Sequence, residues 1–390
     1  MKAVSLNGPD GSGKSQQLRL LDWQFGQIFH ATKPLICYSQ RWPNCTGYES
    51  SRWWFETVAF EELVDIIIES LNVRQRDYPA EMIPLHDRGS RMFRAVCTAT
   101  MMTREDTSFA EASGVVNNLF AAKLDQGDDE CEVVLQPSHD YFSQIVRFVE
   151  MIRPSEGGAF PISAKERYRR YQQHLAQAMS AYFATQPKHL IIVDRPVLEI
   201  QNEIRSVLNS EFPLDLPSVG QGLSTIVGFG GLSECGKSSF AEHLRTKHAF
   251  CRLKLRYFIE SLERRRAAVS PEAICLELLN YFETHYYLQH VSIESLHDPY
   301  VPAMMKLLFG HRMRIVFIQT EHVVRVSRAA NELGLKIDEA EHIVAEKDLV
   351  KIGRGAERVR DIADLIFDNS ADDHEANLQD FASSIGVPAP

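Results

Sequence analysis

The sequence predicts an α/β protein of two tandem domains, each a mainly parallel five-stranded sheet flanked by helices. Three observations predict it. Short apolar runs alternate with longer stretches of helical spacing along the 390 residues. The order apolar run, glycine-rich loop, helix occurs twice, from Ala3 and again from Thr225. The alternation also lapses once, between the two occurrences. Strands that alternate with helices imply βαβ units and a parallel sheet covered on both faces.

The elements follow in order. Ala3-Val4-Ser5-Leu6 is an apolar run that ends at Asn7-Gly8, and Leu18, Leu20, Leu21, Trp23 and Phe25 then recur at helical spacing. Further strands are expected at 35–38, 82–85, 133–135 and 190–193, with helices over 60–71 and 167–182. Residues 209–223 lose the periodicity and hold two prolines and two glycines, so they read as a linker between domains 1–208 and 224–390. The pattern restarts with a strand at 225–229 and a helix over 238–244, and strands are expected at 290–293, 314–318 and 364–367. Leu378, Phe381 and Ile385 form an amphipathic stretch expected to cap the second sheet.

Composition narrows the function classes. A formal net charge of −10 disfavours duplex nucleic acid as a partner, since a phosphate-backbone footprint needs surplus Lys and Arg. Small phosphorylated substrates need only a local basic pocket. The seven cysteines are scattered with no CxxC or CxxH spacing, and read as reduced thiols in a cytoplasmic protein rather than a disulfide frame or zinc site. No apolar run approaches the ~20 residues of a membrane span, and no membrane partner is expected.

The two loops carry the chemistry. Gly8-Pro9-Asp10-Gly11-Ser12-Gly13-Lys14-Ser15 fits G-x-x-x-x-G-K-[ST], and Gly231-Leu232-Ser233-Glu234-Cys235-Gly236-Lys237-Ser238 fits it again. This is the phosphate-loop (P-loop) pattern. Glycines let the backbone wrap a phosphate with its N–H groups inward, the lysine reaches the β- and γ-phosphates, and the last serine ligates Mg²⁺. The expected ATP-binding residues are therefore Gly8, Gly11, Ser12, Gly13, Lys14, Ser15 and Gln16 in the first half. In the second they are Gly231, Ser233, Cys235, Gly236, Lys237, Ser238 and Ser239. Lys14 and Lys237 are the expected catalytic lysines, and Ser15 and Ser238 the expected Mg²⁺ ligands. Neither half holds an Asn-Lys-x-Asp guanine-reading motif, which speaks against a GTPase.

Residues 1–208 resemble thymidylate kinase. The loop through Gln16-Gln17, Arg41-Trp42-Pro43-Asn44, Glu49 and Arg52, His86-Asp87-Arg88-Gly89-Ser90, and Arg167-Tyr168-Arg169-Arg170-Tyr171 fall in that family's order. The resemblance implies that Asp10 sits near the transfer centre, that Asp87 and Arg88 lie at the acceptor phosphate, and that Arg41 is a second clamp. Guanidinium forks suit phosphate oxygens, and alignment with charge stabilisation supplies most of the catalysis in phosphoryl transfer. The sequence departs from the family on the acceptor side: Trp42 replaces an acidic residue and Gly89 replaces a tyrosine. The lid region, 153–158, is arginine-poor. Trp42, Tyr48, Trp53, Trp54 and Phe55 either stack a planar acceptor or pack a core.

Residues 222–385 resemble the nucleoside-monophosphate-kinase superfamily again, nearer dephospho-coenzyme A kinase and phage deoxynucleotide kinases. Leu253-Lys254-Leu255-Arg256-Tyr257 is similar to their substrate-side basic segment. Glu294, at a strand end, is the expected carboxylate of the Mg²⁺ shell. Arg325 and Arg328 read either as a lid clamp on ATP phosphates or as a solvated helix face.

The leading expectation is an ATP- and Mg²⁺-dependent kinase of a nucleotide-like small molecule, thymidylate-like or another nucleoside monophosphate. Two others stand open: a kinase of a non-nucleotide hydroxyl or coenzyme precursor, and an ATP-binding regulator without turnover. A homodimer or an internal pseudo-dimer is the expected assembly.

Overall fold

The computed structural model describes residues 2–125, 130–152, 161–184, 189–220, 222–371 and 374–386. The chain forms two compact units: Met1–Arg195 with Glu199–Leu216, and Pro196–Leu198 with Pro217–Pro390. The segment expected to be a linker starts inside the helix Val197–Glu211. Asn209 holds it there, since its side chain donates to the Leu216 carbonyl at 3.0 Å and accepts the Leu216 N–H at 2.8 Å.

Unit 1 is built on β1 (Ala3–Asn7), β2 (Phe29–Ala31), β3 (Ile83–Asp87), β4 (Glu130–Gln136) and β5 (His189–Ile192), in the order β2-β3-β1-β4-β5. Unit 2 is built on β6 (Thr225–Gly230), β7 (Cys251–Lys254), β8 (His290–Leu296), β9 (Met313–Gln319) and β10 (Leu365–Asp368), in the order β10-β9-β6-β8-β7. Every pairing is parallel. Counted within its own unit, each sheet reads 2-3-1-4-5. The loop-bearing strand is central, and the chain leaves it to opposite sides, so its carboxyl end is the crevice where such sheets bind ligands.

Burial explains the sequence pattern. All five residues of β1 are buried, as for a parallel strand covered on both faces. Val4, Leu6, Leu18, Leu21 and Ile204 pack in one cluster, while Met92, Ala95, Tyr168 and Leu175 pack in another. In unit 2 the expected cap is present: Leu378, Phe381 and Ile385 close over Phe229 and Phe240.

Two strand expectations need correction. The run 35–38 is not a strand; Leu35–Cys37 is a 3-10 turn entered from Pro34, and Phe29–Ala31 supplies β2. A short apolar run does not by itself distinguish a buried strand from a turn that buries one residue, and here Leu35 is buried while Ile36 and Cys37 are exposed. Strand β7 went unrecognised because Cys251-Arg252-Leu253-Lys254 alternates polar and apolar over only four residues.

Candidate phosphate-binding sites

The first loop runs from β1 to the helix Lys14–Phe25. Gly8 admits no side chain, since a Cβ there would stand 2.5 Å from the Leu135 carbonyl oxygen. Gly11 and Gly13 take φ of +78° and +84°, the left-handed region that favours glycine. Lys14 is buried, and its Nζ donates to the Pro9 carbonyl at 2.7 Å and to Ser12 Oγ at 3.4 Å. Burial, aided by Arg88, lowers its pKa to about 7 against the pull of Asp87 and Asp10.

Ser15 Oγ donates to Asp87 Oδ2 at 2.7 Å. Arg88, the next residue, stands at φ 69°, with its N–H on the Leu6 carbonyl at 3.0 Å. That turn aims its guanidinium at Asp10, which accepts from Nη2 at 2.5 Å and from Gln172 Nε2 at 3.2 Å. Burial opposes the charge on Arg88, but Asp10 and Asp87 outweigh it and keep the guanidinium firmly protonated. The structure thus brings Asp10, Lys14, Ser15, Asp87 and Arg88 together at the carboxyl end of the sheet. Asp87, expected at the acceptor phosphate, is bonded to the loop serine instead. Its Oδ1 is buried with no hydrogen-bond partner and lies 3.8 Å from Arg88 Nη1. A hydroxyl and a carboxylate with a free oxygen fit a hard divalent cation such as Mg²⁺.

The second loop repeats the backbone. Gly231 and Gly236 take φ of +132° and +96°, and Glu234, at the position of Gly11, is itself left-handed at φ 57°. Lys237 Nζ donates to the Gly231 carbonyl at 3.0 Å and reaches Cys235 Sγ at 3.2 Å. Ser238 Oγ donates to Glu294 Oε2 at 2.8 Å, and Ser295 after it stands at φ 71°. Asp87-Arg88 and Glu294-Ser295 are therefore counterparts in backbone, but only the first has the arginine.

The surroundings differ further. Asp348, on the helix Ile337–Gly353, accepts the Ser233 N–H at 2.8 Å and the Arg325 guanidinium at 2.5 Å. Lys347 bonds Glu234 at 3.1 Å. Lys351 is pushed down to about 8, by burial first and then by the neighbouring Lys237. A cavity of about 530 Å³ opens beside the loop between Leu232, Cys235, Thr320, Arg325 and Arg358, within the size range of small-ligand sites.

Other expected residues stand elsewhere. Arg325 is buried on Asp348 and the Ser233 carbonyl, and Arg328 donates to the Asn369 carbonyl at 2.9 Å, so neither is a free clamp. Arg41 hydrogen-bonds Glu69 at 3.4 Å and pairs with Glu62, at the surface rather than with Arg88. Arg256 pairs with Glu260 one helical turn on. Trp42, Trp53 and Trp54 pack on one another and on the cluster of Leu63 and Phe93, which favours a core role. The lid region 153–158 lies outside the described residues. Sequence reasoning missed Gln172 and Arg252, and took in Lys347-Asp348 and Lys351 only as part of the second half's resemblance; of the two missed, Arg252 has a local signal, one residue before the basic segment 253–257. At the amino ends of β4 and β5, Cys131, His189 and Glu211 gather within 4.8 Å, with Glu211 already bonded by Lys2 and His189.

No family model matches the chain, and no curated protein does. Among solved structures, a deoxyadenosine kinase from M. mycoides is 13% identical, covering 54% of this chain and 100% of its own, at a TM-score of 0.36. A thymidylate kinase from Candida albicans is 10% identical, covering 54% and 92%, at 0.36. A shikimate kinase from Bacteroides thetaiotaomicron is 16% identical, covering 41% and 98%, at 0.28. Likenesses this distant leave the functional reading to the chain's own residues.

Proposed function

We propose that the chain is an ATP-dependent P-loop phosphotransferase whose first unit carries out transfer to a nucleotide-like acceptor. One observation carries the reading: Lys14, Ser15, Asp87, Arg88 and Asp10 converge at the carboxyl end of the first sheet through bonds between separate elements. Ser15 and Asp87 would hold Mg²⁺, which supplies charge neutralisation and alignment of the phosphates. Lys14 leaves the Pro9 carbonyl for the phosphate oxygens. Arg88, braced by Asp10, which Gln172 holds in turn, offers a planar fork at the tip of β3 where the moving phosphoryl group would meet its acceptor. Gly89 narrows the acceptor's identity. A Cβ there would stand 2.1 Å from Glu130 Oε2 and 2.6 Å from Ser5 Oγ, so the tyrosine of thymidylate kinases has no room at this position.

For unit 2 a second reading is favoured by a specific observation. Asp348 and Lys347 occupy the loop at Ser233 and Glu234, and Ser295 stands where unit 1 has Arg88. That combination suits a site that binds nucleotide without transferring phosphate.

An ATP-consumption screen against nucleoside monophosphates, nucleosides, dephospho-coenzyme A and small hydroxyl metabolites tests both readings. Wild type should turn over at least one acceptor, Lys14→Ala should not, and Lys237→Ala should retain activity. ATP binding without turnover on every acceptor would overturn the enzyme reading.

A further inference from the structure

In unit 2 the residues expected to hold a metal are already satisfied by a cation of the chain's own. Glu294 is buried, with one carboxylate oxygen accepting Ser238 Oγ at 2.8 Å and the other accepting Arg252 Nε. The same guanidinium donates through Nη1 to Glu242 Oε2 at 2.9 Å. Glu242 lies one helical turn beyond Ser238, on the same face of the helix Lys237–His248. Arg252 therefore bridges two carboxylates beside the loop serine, a position of the kind a divalent ion would take. Its hydrogen bond to Glu294, ahead of the opposing effect of burial, holds the guanidinium above its already high range, so it stays charged.

Unit 1 offers the control. Arg252 pairs in register with Ser292, two residues before Glu294, and the residue in register two before Asp87 is Ala31, opposite Leu85. The residue one turn beyond Ser15 is Arg19 rather than a carboxylate. No cation of the sheet can bridge Ser15 and Asp87 from that position, and Asp87 Oδ1 is left without a hydrogen bond.

We infer that Arg252 replaces the divalent cation in unit 2, so that the second loop binds nucleotide without a metal bridging Ser238 and Glu294. An added dication between Ser238 and Glu294 would meet the Arg252 guanidinium, already seated on the buried Glu294, at short range, and like charges so close repel strongly where water is partly excluded. Lys237 and Lys351 then neutralise the phosphates that Mg²⁺ would otherwise neutralise. This inference rests on the reading that the second loop binds nucleotide, and the test separates the two.

The test is calorimetric titration of ATP into the full chain, with Mg²⁺ and then with EDTA. In the Lys14→Ala protein, where the second loop is the intact one, affinity should change by less than about threefold between the two conditions. In the Lys237→Ala protein, where the first loop is intact, Mg²⁺ should tighten binding at least tenfold. Arg252→Gln in the Lys14→Ala background should turn the second loop Mg²⁺-dependent, while Arg252→Lys, which keeps the charge, should not. Binding in Lys14→Ala that strengthens tenfold or more with Mg²⁺ would overturn the inference and leave nucleotide binding intact. Absence of binding under both conditions would overturn the underlying reading, and the inference with it.

Discussion

In the first loop the third residue is itself the acid, Asp10, and the arginine that answers it, Arg88, comes from the tip of β3. In the second loop the third residue is Ser233. Both the acid and the arginine come from helices that follow β9, Asp348 from Ile337–Gly353 and Arg325 from His322–Leu333. The two backbones take the same turns, because glycine spacing and a central parallel strand dictate them. The charges around each loop are set by other elements, and those differ. In unit 1 Arg88 stands at the tip of β3 on Asp10, and Asp87 Oδ1 has no hydrogen bond. In unit 2 Arg325 is bonded to Asp348, and Arg252 to Glu294 and Glu242. On the reading proposed above, the first arrangement suits transfer and the second suits holding.

The largest expected effect separates the units by activity. Arg88→Ala should lower turnover about 10³-fold, the lower end of what an arginine at a transferring phosphoryl group contributes. Arg88→Lys should not restore it, because an ammonium cannot present two parallel donors. Ser295→Ala, at the matching backbone position of unit 2, should leave steady-state turnover unchanged. Equal losses in both units would break the asymmetry.

The next effect is on stability and runs the other way. The Arg325–Asp348 pair is buried, with side-chain exposures of 7% and 10%, whereas Arg88 and Asp10 are 24% and 25% exposed. Asp348→Ala strands a buried guanidinium and should cost unit 2 about 3–5 kcal/mol in denaturant unfolding. Asp10→Ala should cost unit 1 less, about 1–2 kcal/mol, since water reaches Arg88. Burial alone would raise the Asp348 pKa, but the bonds from Arg325 and Ser233 more than reverse this and lower it. Its contribution is therefore present above the unfolded carboxylate pKa and is lost as pH falls through the folded value. Unfolding of Asp348→Asn should lack that acid limb.

This asymmetry was only half legible in the sequence. The loops and most of the central strands followed from short-range pattern, because a buried parallel strand must be continuously apolar and a phosphate turn must have glycine at its left-handed positions. Ser15 with Asp87 and Ser238 with Glu294 could be approached from sequence, since the carboxylate sits at a strand end. The partners that distinguish the units could not. Asp348 lies 115 residues from Ser233, and Gln172 lies 162 residues from Asp10. Nothing local marks either one as belonging to a loop. Arg325 and Arg328 show the converse: correct helical spacing, but side chains turned inward to an acid and a carbonyl that spacing does not reveal.

A proton count sharpens the comparison at the lysines. With its pKa lowered to about 7, Lys14 is mostly neutral at pH 8 in the free protein. Phosphate oxygens favour the ammonium, so nucleotide binding at the first loop should draw in close to one proton at pH 8. Calorimetry of the Lys237→Ala protein, where the first loop is the intact one, in two buffers of different ionisation enthalpy reads this apart from uptake by Lys351 at the second loop, and adding Lys14→Ala should abolish it. The free protein has a matching stability signature. The unfolded chain holds the Lys14 proton up to its ordinary value, so stability rises with pH between about 7 and 10.5.

The smallest effect lies in the loop backbone itself. At the fourth position unit 1 has Gly11 at φ +78° and unit 2 has Glu234 at φ 57°, a conformation that costs a non-glycine residue about 1 kcal/mol. Glu234→Gly relieves that cost and gives up the Lys347 pair, in which Lys347 is 48% exposed and the bond is worth little. The two changes nearly cancel, so unit 2 should shift by less than about 1 kcal/mol. Gly11→Ala has no such compensation, because its Cβ would meet Ile145 Cγ2 at 2.5 Å as well as the unfavourable φ. It should destabilise unit 1 by about 1–3 kcal/mol. If Glu234→Gly instead loosened ATP binding at the second loop tenfold, the Lys347–Glu234 contact would be organising that loop, and the helix Ile337–Gly353 would belong to the site's machinery rather than its wall.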